Sequence, residues 1–260
     1  MRNPQSILIT GATGGIGAAL ARAYAAPGVA LALTGRDTNR LEAVAADCRA
    51  AGAAVETALL DITDGDAIAS WLTAIDRVRP LDLVIANAGV QGGGLAPDGS
   101  GEPLAEVRRI MGTNFGGTCN TIHAAIPLMR ARRRGQIALI SSIAAVRGLP
   151  YFAAYCASKA ALKIYGEALG TWLRRDGVAV SVVLPGFIET PMSQQLTGPK
   201  PFMMSAARAA RIIKRRLVLG RRRIAFPWLL HFGSVVLSHL PAWFADALLS
   251  TTKVDVRPRA

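Results

Sequence analysis

A short apolar run, Ser6-Ile-Leu-Ile-Thr10, passes directly into Gly11-Ala-Thr-Gly14-Gly15-Ile-Gly17 and then into the Ala-rich stretch Ala18–Ala26. Strand, glycine turn and helix in that order make the first unit of a parallel α/β sheet. In that setting glycines let the backbone approach a dinucleotide pyrophosphate, and the helix N-terminus favours its charge. A tight βα turn that binds nothing has the same local sequence. The motif therefore constrains the fold more than the function.

The same alternation continues along the chain. Strands are expected at Ser6–Thr10, Leu31–Thr34, Val55–Leu60, Leu81–Ala86, Gln136–Ser141 and Val178–Leu184, with helical patterns between them. Most are short apolar runs, as in a parallel sheet covered on both faces. The reading is an α/β fold, a doubly wound parallel (Rossmann) sheet in a single domain with a C-terminal helical extension. Residues 1–199 are expected to form the dinucleotide-binding catalytic unit and residues 200–260 the extension. Gly89–Pro103, with six glycines and two prolines, reads as a loop.

Tyr155 and Lys159 stand four residues apart in the run Phe152–Leu162, which should be helical, so they share a face. An ammonium there stabilises tyrosinate and can lower the phenol from its usual value of about 10. A tyrosine tuned that way exchanges protons near neutral pH. An ordinary helix surface also carries such pairs.

Taken together, the glycine turn and the Tyr/Lys pair resemble the short-chain dehydrogenase/reductase family. Other family marks follow in order. Asn87-Ala88-Gly89 ends the strand Leu81–Ala86, Asn114 lies 41 residues before Tyr155, and Ser142 lies 13 before it. Pro185-Gly186-Phe-Ile188-Glu-Thr190 follows the strand Val178–Leu184. The resemblance covers roughly residues 5–195 and fades beyond about residue 200. It implies a catalytic set of Asn114, Ser142, Tyr155 and Lys159. Tyr155 would be the general acid or base. Ser142 would polarise the carbonyl, with Ser141 the neighbouring alternative. Lys159 would also hold the nicotinamide ribose, and Asn114 a water of the proton relay; as a bland alternative, Asn114 caps a helix. The implied cofactor contacts are Thr10, Gly11, Gly15, Ile16, Gly17, Arg36, Asp61, Ile62, Asn87, Ala88, Gly89, Tyr155, Lys159, Pro185, Gly186, Ile188 and Thr190.

Cofactor choice has its own physical handle. An acid about 20 residues beyond the glycine turn binds the ribose 2′-OH and selects NAD. Here that position is Gly35, and Arg36 follows it. A guanidinium suits a 2′-phosphate, so NADP(H) is the expected cofactor and NAD(H) the alternative. Asp37 reads as a helix N-cap rather than a ribose ligand.

The formal charge is +13, and much of the excess is local. Lys200–Arg223 carries nine basic residues and no acid, and Ile224–Ala245 then has no ionised side chain over 22 residues, with Trp228 and Trp243 towards its ends. A basic segment followed by an apolar one suggests peripheral membrane contact through 200–245. A lid on the substrate pocket, a dimer contact and a spanning helix are the alternatives, although Pro227, Gly233 and Pro241 interrupt a clean span. The basic run matches no nucleic-acid module, so no nucleic-acid partner is expected. Arg130, Arg132, Arg133 and Arg134 read as solvated partners of a helix dipole.

Three cysteines without metal-ligand or C-x-x-C spacing fit reduced thiols, and three dispersed histidines suggest no metal site. Met1–Gln5 leads straight into the first strand, so no signal peptide is expected. The chain reads as a cytoplasmic enzyme, acting at the inner face of a membrane if the tail docks there, and as a homodimer or homotetramer. The function implied is NADP(H)-dependent reduction of a carbonyl on an apolar or lipid-like small molecule, or oxidation of the matching alcohol. An NAD-dependent alcohol or polyol dehydrogenase and a non-catalytic dinucleotide sensor are the alternatives.

Overall fold

A computed structural model describes residues 3–92, 101–196 and 198–250. Its strands are β1 (Ser6–Thr10), β2 (Ala30–Gly35), β3 (Ala54–Leu59), β4 (Leu83–Ala86), β5 (Gly135–Ile140), β6 (Val178–Pro185), β7 (Ile188–Glu189), β8 (Met204–Ser205) and β9 (Arg223–Phe226). Seven of them form one parallel sheet in the order β3-β2-β1-β4-β5-β6-β9, while β7 and β8 pair separately. The order reverses between β1 and β4. In sheets of this type the cleft opens beyond the carboxyl ends of the strands at that point.

Period-two alternation sends side chains to two apolar layers. Ile7 and Ile9 of β1 face α1 (Gly15–Tyr24), α2 (Thr38–Ala50) and α8 (Ala206–Val218), whereas Leu8 faces α3 (Gly65–Val78), α5 (Thr118–Ala131) and α6 (Ala153–Trp172). With a helix layer on each face, the central strands β1, β4 and β5 are buried throughout. β3 is an edge strand and is half-exposed. The remaining helices are α4 (Leu104–Met111), α7 (Pro191–Gln194), α9 (Trp228–His239) and α10 (Ala242–Ser250). Residues 93–100 of the expected loop at 89–103 lie outside the described residues.

The structure corrects the boundary expected at residue 199. α8 packs on α1, and β9 adds a seventh strand beside β6, pairing Val182 with Arg223 through Pro185 with Phe226. Residues 206–226 therefore belong to the sheet and its cover, and only α9 and α10 extend beyond it. The four-residue strand was hidden because Arg221 and Arg222 precede it, Arg223 begins it, and only Ile224 and Phe226 turn inward. The supposed uncharged segment is accordingly split into a strand and two helices. Among the described residues no helix is long and apolar enough to cross a membrane. The arginines after α5 are not merely solvated. Arg132 pairs with Asp76 and donates to Leu81 O, and Arg130 and Arg134 pair with Asp176 and Asp82.

Candidate active site

The end of β1 and the end of β4 are sewn together by side chains. Thr10 Oγ1 accepts from Asn87 N and Ala88 N, each at 3.1 Å, and Asn87 Nδ2 donates to Thr10 O and Gly11 O at 3.0 and 3.1 Å. Gly11 has φ +66, and a Cβ on Gly17 would stand 2.2 Å from Gly11 O. Both positions thus require glycine, one for its conformation and one for the close approach. Above Gly14 the space is open at the N-terminus of α1, which is where a pyrophosphate would fit the backbone and the helix dipole.

At the end of β2, Arg36 is exposed and its Nη1 lies 3.4 Å from Asp61 Oδ2. Asp61 is held below the usual carboxylate range, first by the Thr63 backbone N–H and also by Arg36. Asp37 caps α2, accepting from Arg40 N at 3.0 Å, so its carboxylate is turned to the helix. Arg40, which sequence reasoning missed, also lines the cleft. Its signal was the i, i+4 spacing from Arg36 across a recognisable cap. A Cβ on Gly35 would meet Thr13 Cγ2 at 2.2 Å, so an acid there would have to displace Thr13. Ile62 is buried against Gly117 but also lines the cleft.

The catalytic candidates come from three elements. Ser142 follows β5 and caps a short 3-10 turn, accepting from Ala144 N at 3.1 Å. Ser141 is not its equivalent: Ser141 is buried and donates to Lys159 O at 2.7 Å, fastening α6 to β5. Tyr155 and Lys159 share one face of α6, with Lys159 Nζ 5.7 Å from the Tyr155 ring centre and 3.1 Å from Ile140 O.

The protonation states depart from expectation. Burial pushes the Tyr155 phenol up to about 12, against a smaller downward pull from hydrogen bonding with Ser142. Burial also lowers the Lys159 ammonium to about 8. The expected lowering of Tyr155 by Lys159 does not hold here: removal from water is the largest influence on the phenol, and Ser142 rather than Lys159 supplies the downward pull.

Asn114 sits in a π-helical segment, Gly112–Gly117, that joins α4 to α5. Such bulges recur at functional sites. Its side chain is fully buried and heavily committed: Oδ1 accepts from Val90 N at 2.7 Å, and Nδ2 donates to Val90 O and Ser158 Oγ, both at 2.9 Å. Ser158 Oγ in turn donates to Tyr155 O at 2.8 Å. Asn114 thus bridges the loop after β4 to α6, a link that sequence reasoning did not anticipate. One Oδ1 lone pair remains for a water. The bland expectation of a helix cap does not describe it.

On the far side, Gly186 N donates to Phe226 O at 2.8 Å, continuing the β6–β9 ladder. Thr190 caps α7 and its methyl group would contact a Cβ on Gly15, closing the cleft over the glycine turn. The resulting cavity is about 1290 Å³ and is walled by the glycine turn, Arg36, Ser142, Tyr155, Lys159 and α9. That exceeds an ordinary single-ligand pocket of about 300–1,000 Å³, so a dinucleotide and a substrate fit together.

A twisted parallel sheet with this serine, tyrosine and lysine at its cleft defines a nicotinamide-dependent oxidoreductase class. Residues 5–200 match the protein family described as short chain dehydrogenase, and the chain belongs to that family. It is 37% identical to an uncharacterized oxidoreductase of Myxococcus xanthus over 94% of this chain and 95% of that protein. It is 35% identical to a monensin polyketide synthase putative ketoacyl reductase of Streptomyces virginiae, over 73% of this chain and 72% of the relative. A crystal structure of a Mycobacterium paratuberculosis short chain dehydrogenase bound to NAD superposes with a TM-score of 0.74 at 25% identity, covering 85% of this chain and 95% of that one. The protein is therefore a short-chain NAD(P)-dependent oxidoreductase.

Proposed function

We propose that the enzyme uses NADP(H) to reduce the carbonyl of an apolar, lipid-like substrate, with Tyr155 as the proton donor. The observation that carries this reading is the placement of Ser142, Tyr155 and Lys159 together in a cleft whose outer wall is the uncharged helix α9. The nicotinamide, when bound, supplies the hydride. Ser142 hydrogen-bonds the carbonyl oxygen and polarises it. Tyr155, neutral at physiological pH, gives its proton to that oxygen as charge develops there. The tyrosinate left behind faces Lys159, largely charged at pH 7, and is reprotonated from water.

Gly11, Gly15, Ile16 and Gly17 would hold the pyrophosphate, with Thr10, Asn87 and Ala88 supporting that turn and Gly89 beside Asn114 and Lys159. Arg36 and Arg40 hold the 2′-phosphate. Asp61 and Ile62 border the adenine, while Pro185, Gly186, Ile188 and Thr190 border the nicotinamide. Lys159 also holds the ribose, and Asn114 positions Val90 and Tyr155. A second reading, NAD-dependent oxidation of an alcohol, draws on the NAD-bound relative. The enzyme works in the cytoplasm as a homodimer or homotetramer, which light scattering on the purified chain tests.

The deciding assay follows nicotinamide absorbance over a series of carbonyls of rising chain length. Longer apolar substrates are expected to have the higher kcat/KM. Tyr155→Phe is expected to lose about 10²–10⁴-fold in rate while binding cofactor normally. A variant that keeps most of its activity would assign the proton to another group.

A further inference from the structure

The rim of the cleft is far more apolar than a soluble surface requires. Trp228 and Trp243 are each 73% exposed, and Phe232 is 60% exposed, with Leu229, Val236 and Phe244 also exposed beside them. Contiguous apolar surface of this kind marks an interaction site. Leu229, Phe232 and Val236 also line the cavity that holds Tyr155, so these side chains belong both to the exposed face and to the cleft. The helices are nevertheless anchored. Leu230 packs on Ile143 and Leu184, Ala245 is fully buried, and Asp246 pairs with Arg147 at 2.7 Å.

Two observations say what covers this rim. First, three polar side chains of α9, those of Ser234, Ser238 and His239, are turned back onto their own helix, while His231 Nδ1 is buried without a hydrogen-bond partner among the described residues. Ser234 Oγ donates to Leu230 O at 2.9 Å, Ser238 Oγ donates to Val235 O at 2.7 Å, and His239 Nδ1 bonds Val235 O at 2.8 Å. A protein partner is met with about one hydrogen bond per 100–200 Å² and a polar rim. Hydroxyl and imidazole groups satisfied within the helix in this way suit an environment with nothing to bond. Second, residues 224–245 carry no ionised side chain, Asp246 is neutralised by Arg147, and the whole chain is +13. An anionic surface attracts such a molecule, whereas a second copy brought up to the rim carries the same charge. Trp228 begins α9 and Trp243 lies in the first turn of α10, and tryptophan is a residue type that favours headgroup depth.

We infer that α9 and α10 are the face by which this enzyme rests on an anionic phospholipid bilayer, with the cleft mouth opening into the lipid. The arrangement differs from the basic-then-apolar tail expected from sequence. Arg222 and Arg223 are occupied by Thr171 and Glu167 on α6, so the contact is made by the apolar rim and the charge acts only at longer range. Delivery of substrate from the bilayer additionally rests on the proposed apolar substrate.

The test floats the full chain with vesicles of phosphatidylcholine and phosphatidylglycerol, some with brominated acyl chains. Wild type is expected to float, to have its tryptophan emission quenched by the bromine, and to retain part of its binding at high salt. The double change Trp228→Ala and Trp243→Ala is expected to weaken vesicle binding by about ten-fold or more while leaving turnover of a small water-soluble carbonyl unchanged. Bromine quenching of wild type decides the matter even if that variant folds poorly. The inference is overturned if wild type stays soluble, if it binds without quenching, if salt removes all binding, or if the tryptophan changes instead dissolve a dimer. Vesicle binding without any preference for long-chain carbonyls would leave the docking face standing and refute only the substrate reading.

Discussion

Replacing Asn114 by alanine should cost stability as well as rate. The side chain makes three hydrogen bonds, two part-buried ones to the backbone of Val90 and a buried one to Ser158 Oγ. Each ordinary bond contributes about 0.5–1.5 kcal/mol net, and a stranded buried partner costs about 1–3 kcal/mol. Val90 is only half-buried, so water can reach part of what is lost. Ser158 keeps its bond to Tyr155 O. Together these give a loss of about 2–4 kcal/mol. At about 2–4 °C per kcal/mol for a domain of this size, the midpoint should fall by roughly 4–16 °C. Scanning calorimetry on the cofactor-free chain measures it. Ser158→Ala should cost less, and the double variant should be less destabilised than the sum of the two, since both remove one shared bond. A midpoint that moves less than about 2 °C while turnover collapses would make Asn114 a purely catalytic residue and refute the bridging argument.

Arg36→Ala should weaken NADP(H) by about 10–150-fold, equivalent to about 1.5–3 kcal/mol for a hydrogen bond to a charged group, and barely change NAD(H), as read by fluorescence titration; a wild type that already prefers NAD(H) would refute the assignment. Lys159 gives a pH dependence with a definite sign. Its ammonium falls from 10.5 to about 8 on burial, so below pH 8 both folded and unfolded chains carry the proton and the burial cost is fully present. Between about pH 8 and 10.5 the folded chain has released it first, and this group's contribution rises with pH. Denaturant titrations should therefore show wild type gaining on Lys159→Met by about 3 kcal/mol between pH 7 and 10.5, and a flat difference would mean that the amine is not desolvated.

Much of this fold was legible because its signals are local. The strand and glycine turn at 6–17, the N-cap at Asp37 and the helical spacing of Tyr155 and Lys159 each depend on near neighbours in the chain. β9 was not legible, because four residues that open on the last of three arginines become a strand only when β6 offers its edge. The bridge from Asn114 through Ser158 joins segments 44 residues apart, which no periodicity announces. Sequence spacing also brought Lys159 to Tyr155 correctly but misjudged the result. Spacing supplies a distance between charges, whereas the degree of burial is a property of the whole layered structure.

The seventh strand has a consequence for what counts as the smallest working version of this enzyme. The family match ends at residue 200, and every catalytic candidate lies before it. A chain cut there would nevertheless lose β9 and with it the ladder that occupies the outer edge of β6. That edge holds Val182, Val183 and Leu184 in a row, which is the kind of bare, apolar strand that recruits other chains into aggregates. The segment beyond the family match thus covers a long apolar edge with a short strand that opens on an arginine. Natural variation beyond residue 200 is then expected to reshape the helices that follow Phe226 while leaving the short strand before it in place.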